Sequence, residues 1–165
     1  MTAPTLHPTQ EQLKAMFDYI DGKLVWKVKR KRVNVGDLAG VVHPNGYLRT
    51  GLNGRIHLNH RLIFMFHHGY LPEIVDHIDG NKLNNKIENL RGANKITNQQ
   101  NQKIKKENTS GYKNVSFCKQ TKNWVVQIKV NGRSKTVARY ANIEFADLVA
   151  QEARAKYHGE YARNY

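Results

Sequence analysis

A chain of 165 residues holds one medium domain or two small ones, and 39% apolar residues suffice for modest cores. Lysine and arginine outnumber the acids by 27 to 13, giving a net charge of +14, an excess that points to a polyanion held through counterion release. A single cysteine, Cys118, excludes an internal disulfide or a thiolate zinc cage, and no segment is apolar for the length of a spanning helix.

Thr9 is placed to cap a short helix running to about Asp18, with Leu13, Met16 and Phe17 as its apolar stripe. Asp21-Gly22 then turns the chain into a half-buried strand over residues 23–28, where Leu24, Trp26 and Val28 alternate with polar neighbours. Four cations follow, Lys29, Arg30, Lys31 and Arg32, either a solvated loop or a phosphate contact. Asn45-Gly46 and Asn53-Gly54 each separate short β-prone runs, so residues 38–59 predict a small antiparallel meander packed through Tyr47, Leu48, Ile56 and Leu58. From His60 the period becomes helical through Leu62, Ile63, Met65 and Phe66, stopped by Gly69 and followed by Pro72. Residues 74–78 form the next strand candidate and Asp79-Gly80-Asn81 a tight turn. Residues 82–93 read as irregular, anchored by Leu83, Ile87 and Leu90, before Asn94 caps a helix to roughly Lys103.

Residues 105–110 are polar and charged and read as a linker between domains 1–104 and 111–165. Beyond it come three strand candidates, 112–117, 124–130 and 134–140, joined by a turn at 119–123 and by Asn131-Gly132. An amphipathic helix over 144–157 presents Phe145, Leu148, Val149, Ala153 and Tyr157, and Gly159 ends it. Three strands and one helix make a self-contained module, so the fold class expected is α+β throughout.

The chemistry concentrates at Asp76-His77. An imidazole can take a proton from water near neutral pH, and a carboxylate beside it suits a hard cation such as Mg²⁺. Adjacent residues of a strand point to opposite faces, so a regular strand cannot aim both at one metal and one water; either the strand is distorted, or the two residues reach the phosphate from different sides. Asp79 reads as a turn former, and Asn84 and Asn85 as amides that satisfy their own loop.

The string from Val75 through Asn81, with Leu83-Asn84-Asn85, Ile87 to Arg91, Asn98 and Asn101, resembles the HNH nucleases, most of all the phage homing endonucleases. The resemblance runs from His60 to Asn101 and implies a ββα-metal motif, two strands and a helix around one divalent ion. It implies that His77 is the general base, that Asp76 and Asn98 hold the metal, and that Asn89 braces the loop. The all-oxygen ligand pair implies Mg²⁺, with Mn²⁺ as a substitute. His60 and Asn101 are possible additional members of the site. The sequence departs from the family at Gly92-Ala93, where relatives are bulkier, and at Thr97, where an acid is common.

Residues 111–163 resemble the APETALA-type DNA-binding domain, the sheet and helix of plant ethylene-response factors, which also recurs behind phage HNH nucleases. That resemblance implies a sheet face in the major groove of double-stranded DNA. With Trp124, Val126 and Ile128 inward, Gln127 and Lys129 point outward, and Lys113, Lys119, Arg133, Lys135 and Arg139 are further candidates. Lysines in place of arginines imply phosphate contact more than base reading.

The reading is a DNA endonuclease with no small-molecule cofactor and no membrane contact, a monomer or weak dimer in the cytoplasm, the host's if phage-encoded. A DNA-binding regulator that keeps the fold without catalysis is the alternative, and intact Asp76, His77 and Asn98 argue against it.

Overall fold

The computed structural model describes residues 7–101, 104, 107–162 and 164, without the side chains of Ile96, Gln99 and Glu160. The described chain is α+β, with every sheet antiparallel, and divides into two units, Met1–Ala93 and Asn94–Tyr165. Among the described residues no helix is long and apolar enough to cross a membrane.

In the first unit, α1 (Gln10–Met16) starts on a reciprocal cap: Gln12 N–H donates to the Thr9 hydroxyl, and Thr9 N–H donates to the Gln12 side chain. The helix stops short of the expected Asp18, because Phe17 is already extended and opens β1 (Phe17–Ile20). The β-prone run Phe-Asp-Tyr-Ile finds a partner in β2 (Lys23–Trp26), with Phe17 opposite Trp26, and pairing overrides the helical stripe. Asp21 and Gly22, at φ 46° and 80°, make the turn. Val28 is exposed, contrary to expectation, since β2 ends at Trp26. Both the Trp26 N–H and its carbonyl bond to the returning segment, at Asp37 and Gly36.

The meander forms as its two Asn-Gly turns require: β3 (Val41–Val42), β4 (Leu48–Leu52) and β5 (Arg55–Leu58) lie in the order β3-β4-β5. Its inner face differs from the expected one. Thr50 and Leu52 turn inward, whereas Ile56, opposite Gly51, faces solvent. α2 (Asn59–His68) follows directly and ends at Gly69, φ 75°. Its Leu62, Ile63 and Phe64 pack on Leu13, Phe17, Leu24, Trp26 and Leu52, each large side chain contributing about 1.5–3 kcal/mol of burial. Buried Asn59 accepts from the Thr50 hydroxyl at 2.7 Å and donates to the Ala39 carbonyl at 2.8 Å, fixing the start of α2 against the meander.

β6 (Ile74–His77) pairs with β7 (Leu90–Ala93), a strand that the residues alone did not show. Leu-Arg-Gly-Ala is a poor β sequence, and its glycine has a packing reason: a Cβ at Gly92 would sit 3.3 Å from Pro72. Between these strands a single 3₁₀ turn, Ile87–Asn89, brings the chain back. Leu83, expected as an anchor, is exposed.

The second unit opens with α3 (Lys95–Gln100), capped by Asn94 as expected and ending earlier than predicted; residues 102 and 103 lie outside the described chain. Asn94 accepts from Thr97 N–H, and Asn94 N–H donates to the Thr97 hydroxyl, both at 2.9 Å. Then come β8 (Val115–Cys118), β9 (Asn123–Val130) and β10 (Arg133–Tyr140), ordered β10-β9-β8, and α4 (Ile143–His158). β8 starts later than predicted, because Asn114 takes a left-handed φ of 69°. The packed face of α4 is only in part the expected one. Ala153 is buried as expected, together with Ala146 and Ala150, whereas Phe145 and Leu148 are 61% and 58% exposed. Small residues let the helix settle close on Val115 and Val126. Fully buried Arg154 locks the contact by donating to the Lys113 carbonyl and to Asn164, while the His158 Nε2–H donates to the Lys129 carbonyl at 2.9 Å.

Candidate active site

The register of β6 on β7 sets Asp76 opposite Arg91 and His77 opposite Leu90. Strand alternation then sends the two functional residues to different faces. On one face Arg91 donates from Nε and Nη2 to the same Asp76 carboxylate oxygen, at 3.3 and 3.2 Å. Both side chains are only 11% exposed, so this ion pair is partly desolvated and losing one partner strands a charge.

On the other face His77 is 5% exposed. Its ring lies 4.9 Å from that of His60, edge on at 62°, and its Nε2 is 2.9 Å from the Asn85 side-chain oxygen. The Tyr47 ring stands 5.3 Å from His60 and 6.2 Å from His77. His60 comes from the first turn of α2, which Asn59 anchors. Burial, then the neighbouring His77 and Arg61, push the His60 imidazole down to about 3, so it is neutral at physiological pH. Burial, with the Asp76 charge behind it, holds the Tyr47 phenol above its ordinary value.

The loop between the strands is clasped by Asn89. Its side-chain oxygen accepts from Asp79 N–H at 3.0 Å, and its amide donates to Asp79 and to the Asn84 carbonyl at 2.9 and 2.8 Å. Asp79 in turn accepts from Asn81 N–H and from the Asn84 amide, both at 2.7 Å. Burial raises its carboxyl, yet the hydrogen bonds from Asn84, Asn81 and Asn89 together hold it below the usual range. Lys82 reaches across to the Asn45 carbonyl at 3.0 Å and lies 4.7 Å above the Tyr47 ring, tying the loop to the meander turn.

This strand pair and its asparagine-braced loop coincide with a family match: the HNH endonuclease profile aligns with residues 57–103. A relative, Protein 3.8 of Escherichia phage T7, is 35% identical over 91 residues, 54% of this chain and 73% of that protein. The chain belongs to the HNH endonuclease family. No solved structure matches it.

Within the HNH segment the structure places Asp76 and His77 on β6, His60 on α2 beside it, and Asn89 in the 3₁₀ turn that leads into β7. Asn98 and Asn101 belong to the second unit, on α3 and just after it: Asn98 is half-buried and Asn101 buried, their N–H groups donating to the Asn94 and Thr97 carbonyls. Thr97, where the family favours an acid, fills the capping role with its hydroxyl. Residue types alone missed Asn85 and Arg91. The signal for Arg91 was available once β7 is drawn, since it faces Asp76 across the ladder; Asn85 had none, because its neighbour Asn84 has the same chemistry and stays in the loop.

The donor that β6 offers is one carboxylate, a hard oxygen of the type a divalent ion such as Mg²⁺ takes singly from protein. Among the described residues no three His, Cys, Asp or Glu side chains gather into a cage.

The basic residues fall into two groups. Lys31 and Arg32 form the tip of a tight turn closed by Arg30 and Val33, with Lys29 exposed beside it and the Arg30 guanidinium 4.9 Å above the Trp26 ring. In the second unit Gln127, Lys129 and Arg139 share the sheet face opposite α4, Gln127 paired with Thr136 and Arg139 with Val125, and Lys119 is exposed in the first hairpin turn. Lys135, by contrast, is opposite buried Ile128 and donates to the Tyr157 hydroxyl at 2.9 Å on the helix side. Arg133, opposite Val130, shares that parity, and Lys113 is half-buried with its ammonium donating to the Gln100 carbonyl.

Proposed function

We propose that the chain is a DNA endonuclease of the phage homing type, in which residues 1–104 cut and residues 111–165 hold double-stranded DNA. The observation that carries the reading is the His77 imidazole, fixed at the end of β6 between His60 and Asn85 inside the segment the HNH family matches. A buried neutral histidine beside it cannot compete for protons, so His77 is the base that draws a proton from the attacking water. The water oxygen bonds to phosphorus in line with the departing 3′ oxygen, and the ends are a 5′-phosphate and a 3′-hydroxyl. By the family's pattern Asp76 and Asn98 are the residues that would hold Mg²⁺, or Mn²⁺ in its place, and the ion when bound supplies positive charge against the phosphate oxygens. Arg91 orients the Asp76 carboxylate through their paired contact.

On this reading the nuclease domain runs to residue 104, residues 105–110 link it to an APETALA-type domain over 111–165, and the protein acts as a monomer or weak dimer. Three antiparallel strands backed by a helix support that assignment. Gln127, Lys129 and Arg139, on the open face, are the residues for DNA, with Lys119 and the 29–32 turn as phosphate contacts. Incubation with supercoiled plasmid tests the function: nicked or linear product is expected with Mg²⁺ or Mn²⁺ and none with EDTA. Absence of product with either ion sinks the proposal in favour of a DNA-binding regulator.

A further inference from the structure

We propose that Asn85 is the positioning residue of the site: its side-chain oxygen keeps the His77 proton on Nε2 and thereby makes Nδ1 the nitrogen that receives the proton of water. The inference rests on His77 being the base, and adds the atom that acts and the residue that selects it.

A neutral imidazole carries one N–H and one lone pair. An amide oxygen only accepts, so the 2.9 Å contact places the hydrogen on Nε2 and the lone pair on Nδ1. Asn85 is 3% exposed and His77 5%, leaving little water to replace the partner if the ring turned over. A buried donor without an acceptor loses its hydration with nothing in return, which biases the tautomer strongly. His60 at 4.9 Å and Tyr47 at 6.2 Å border the ring and limit its swing.

Asn85 is itself held from two sides. Asn84 and Asn89 close the loop on Asp79, and Asn85 N–H donates to the Leu83 carbonyl at 3.1 Å. From the other side the β1–β2 turn presses on its backbone. A Cβ at Gly22 would lie 3.2 Å from the Asn85 carbonyl carbon and 2.9 Å from Lys86 N. Beside that contact Lys86 pairs with Asp21 at 2.8 Å, and the Tyr19 hydroxyl accepts from Ile87 N–H at 2.9 Å. The first hairpin of the chain thus buttresses the residue that orients the base.

In the step, an O–H bond of water breaks and its proton passes to Nδ1 while the oxygen bonds to phosphorus. The phosphorus–O3′ bond breaks with its electron pair on O3′, which solvent water protonates.

Two substitutions of similar size separate this role from a structural one. Asn85→Asp keeps the acceptor, and Asn85→Leu removes it. Measured on the full chain with saturating plasmid and Mg²⁺, Asn85→Leu is expected to lower kcat by about 10–100-fold with KM unchanged, and Asn85→Asp to recover most of that loss. With ¹⁵N-labelled histidine, the wild-type protein without metal should show a slowly exchanging Nε2–H signal for His77, kept in the Asp variant and lost in the Leu variant. An Nδ1–H signal in the wild type, or equal loss of activity in both variants with lowered melting temperatures, overturns the proposal. Cleavage by His77→Ala would instead overturn the base assignment on which it stands, whereas an inactive His77→Ala beside a fully active Asn85→Leu removes Asn85 alone.

Discussion

Both units pack helix against antiparallel strands, yet they bury different things. The first fills its interior with large side chains, Leu13, Phe17, Leu24, Trp26, Leu52 and Ile63, and sets its buried polar groups, Asn59, His60, His77 and Asn85, in a row beside that core. The second closes on alanines, and its buried polar groups, Arg154 and His158, tie helix to strand through main-chain carbonyls. A broad apolar core can carry the cost of desolvated groups that hold a reactive geometry. A thin alanine interface needs its polar groups for cohesion.

That contrast can be broken at graded points. The largest effect belongs to His77→Ala, which should reduce cleavage by about 10²–10⁴-fold while DNA affinity changes less than about twofold; a gel-shift titration beside a cleavage time course checks both. Leu24→Ala, at a fully buried position of the first unit, should cost about 2–5 kcal/mol by denaturant unfolding, against about 1–3 kcal/mol for overpacking the second with Ala150→Leu. Acid acts on the buried histidine of the first unit's site. Because His60 titrates at about 3 in the folded protein and near 6.5 unfolded, the unfolded chain binds the extra proton between those values. Its contribution is therefore whole above pH 6.5 and falls by about 1.4 kcal/mol per pH unit as pH drops toward 3. His60→Phe should flatten that slope in pH-dependent melting. Lys129→Ala should leave saturated cleavage unchanged and lower the salt dependence of DNA binding by about one counterion. Smallest of all, Phe145→Gln on the exposed side of α4 should move stability by less than about 0.5 kcal/mol.

Turn chemistry made much of this fold legible. Asn53-Gly54 and Asn131-Gly132 take left-handed φ at both positions, and the strands they join follow from them. What was not legible depends on partners distant in sequence. Phe17 looked helical until Trp26 stood opposite it, and Leu90 to Ala93 became a strand only by pairing with β6. Phe145 and Leu148 have the hydrophobicity of a core face, but the sheet accepts the alanine stripe because it allows closer approach. At the site the resemblance pointed to Asp76, His77 and Asn89 as a string. The identical neighbours Asn84 and Asn85 could not be told apart, since one turns to the loop and the other inward.

The distribution of tryptophan has a practical side. The chain has two, Trp26 buried against Phe17 under the Arg30 guanidinium, and half-buried Trp124 beside Phe117. Each unit thus carries its own intrinsic fluorophore, in a different environment. Replacing either by phenylalanine leaves a spectroscopic label on the other, through which the melting of the first unit and of the second become separately visible in the intact chain.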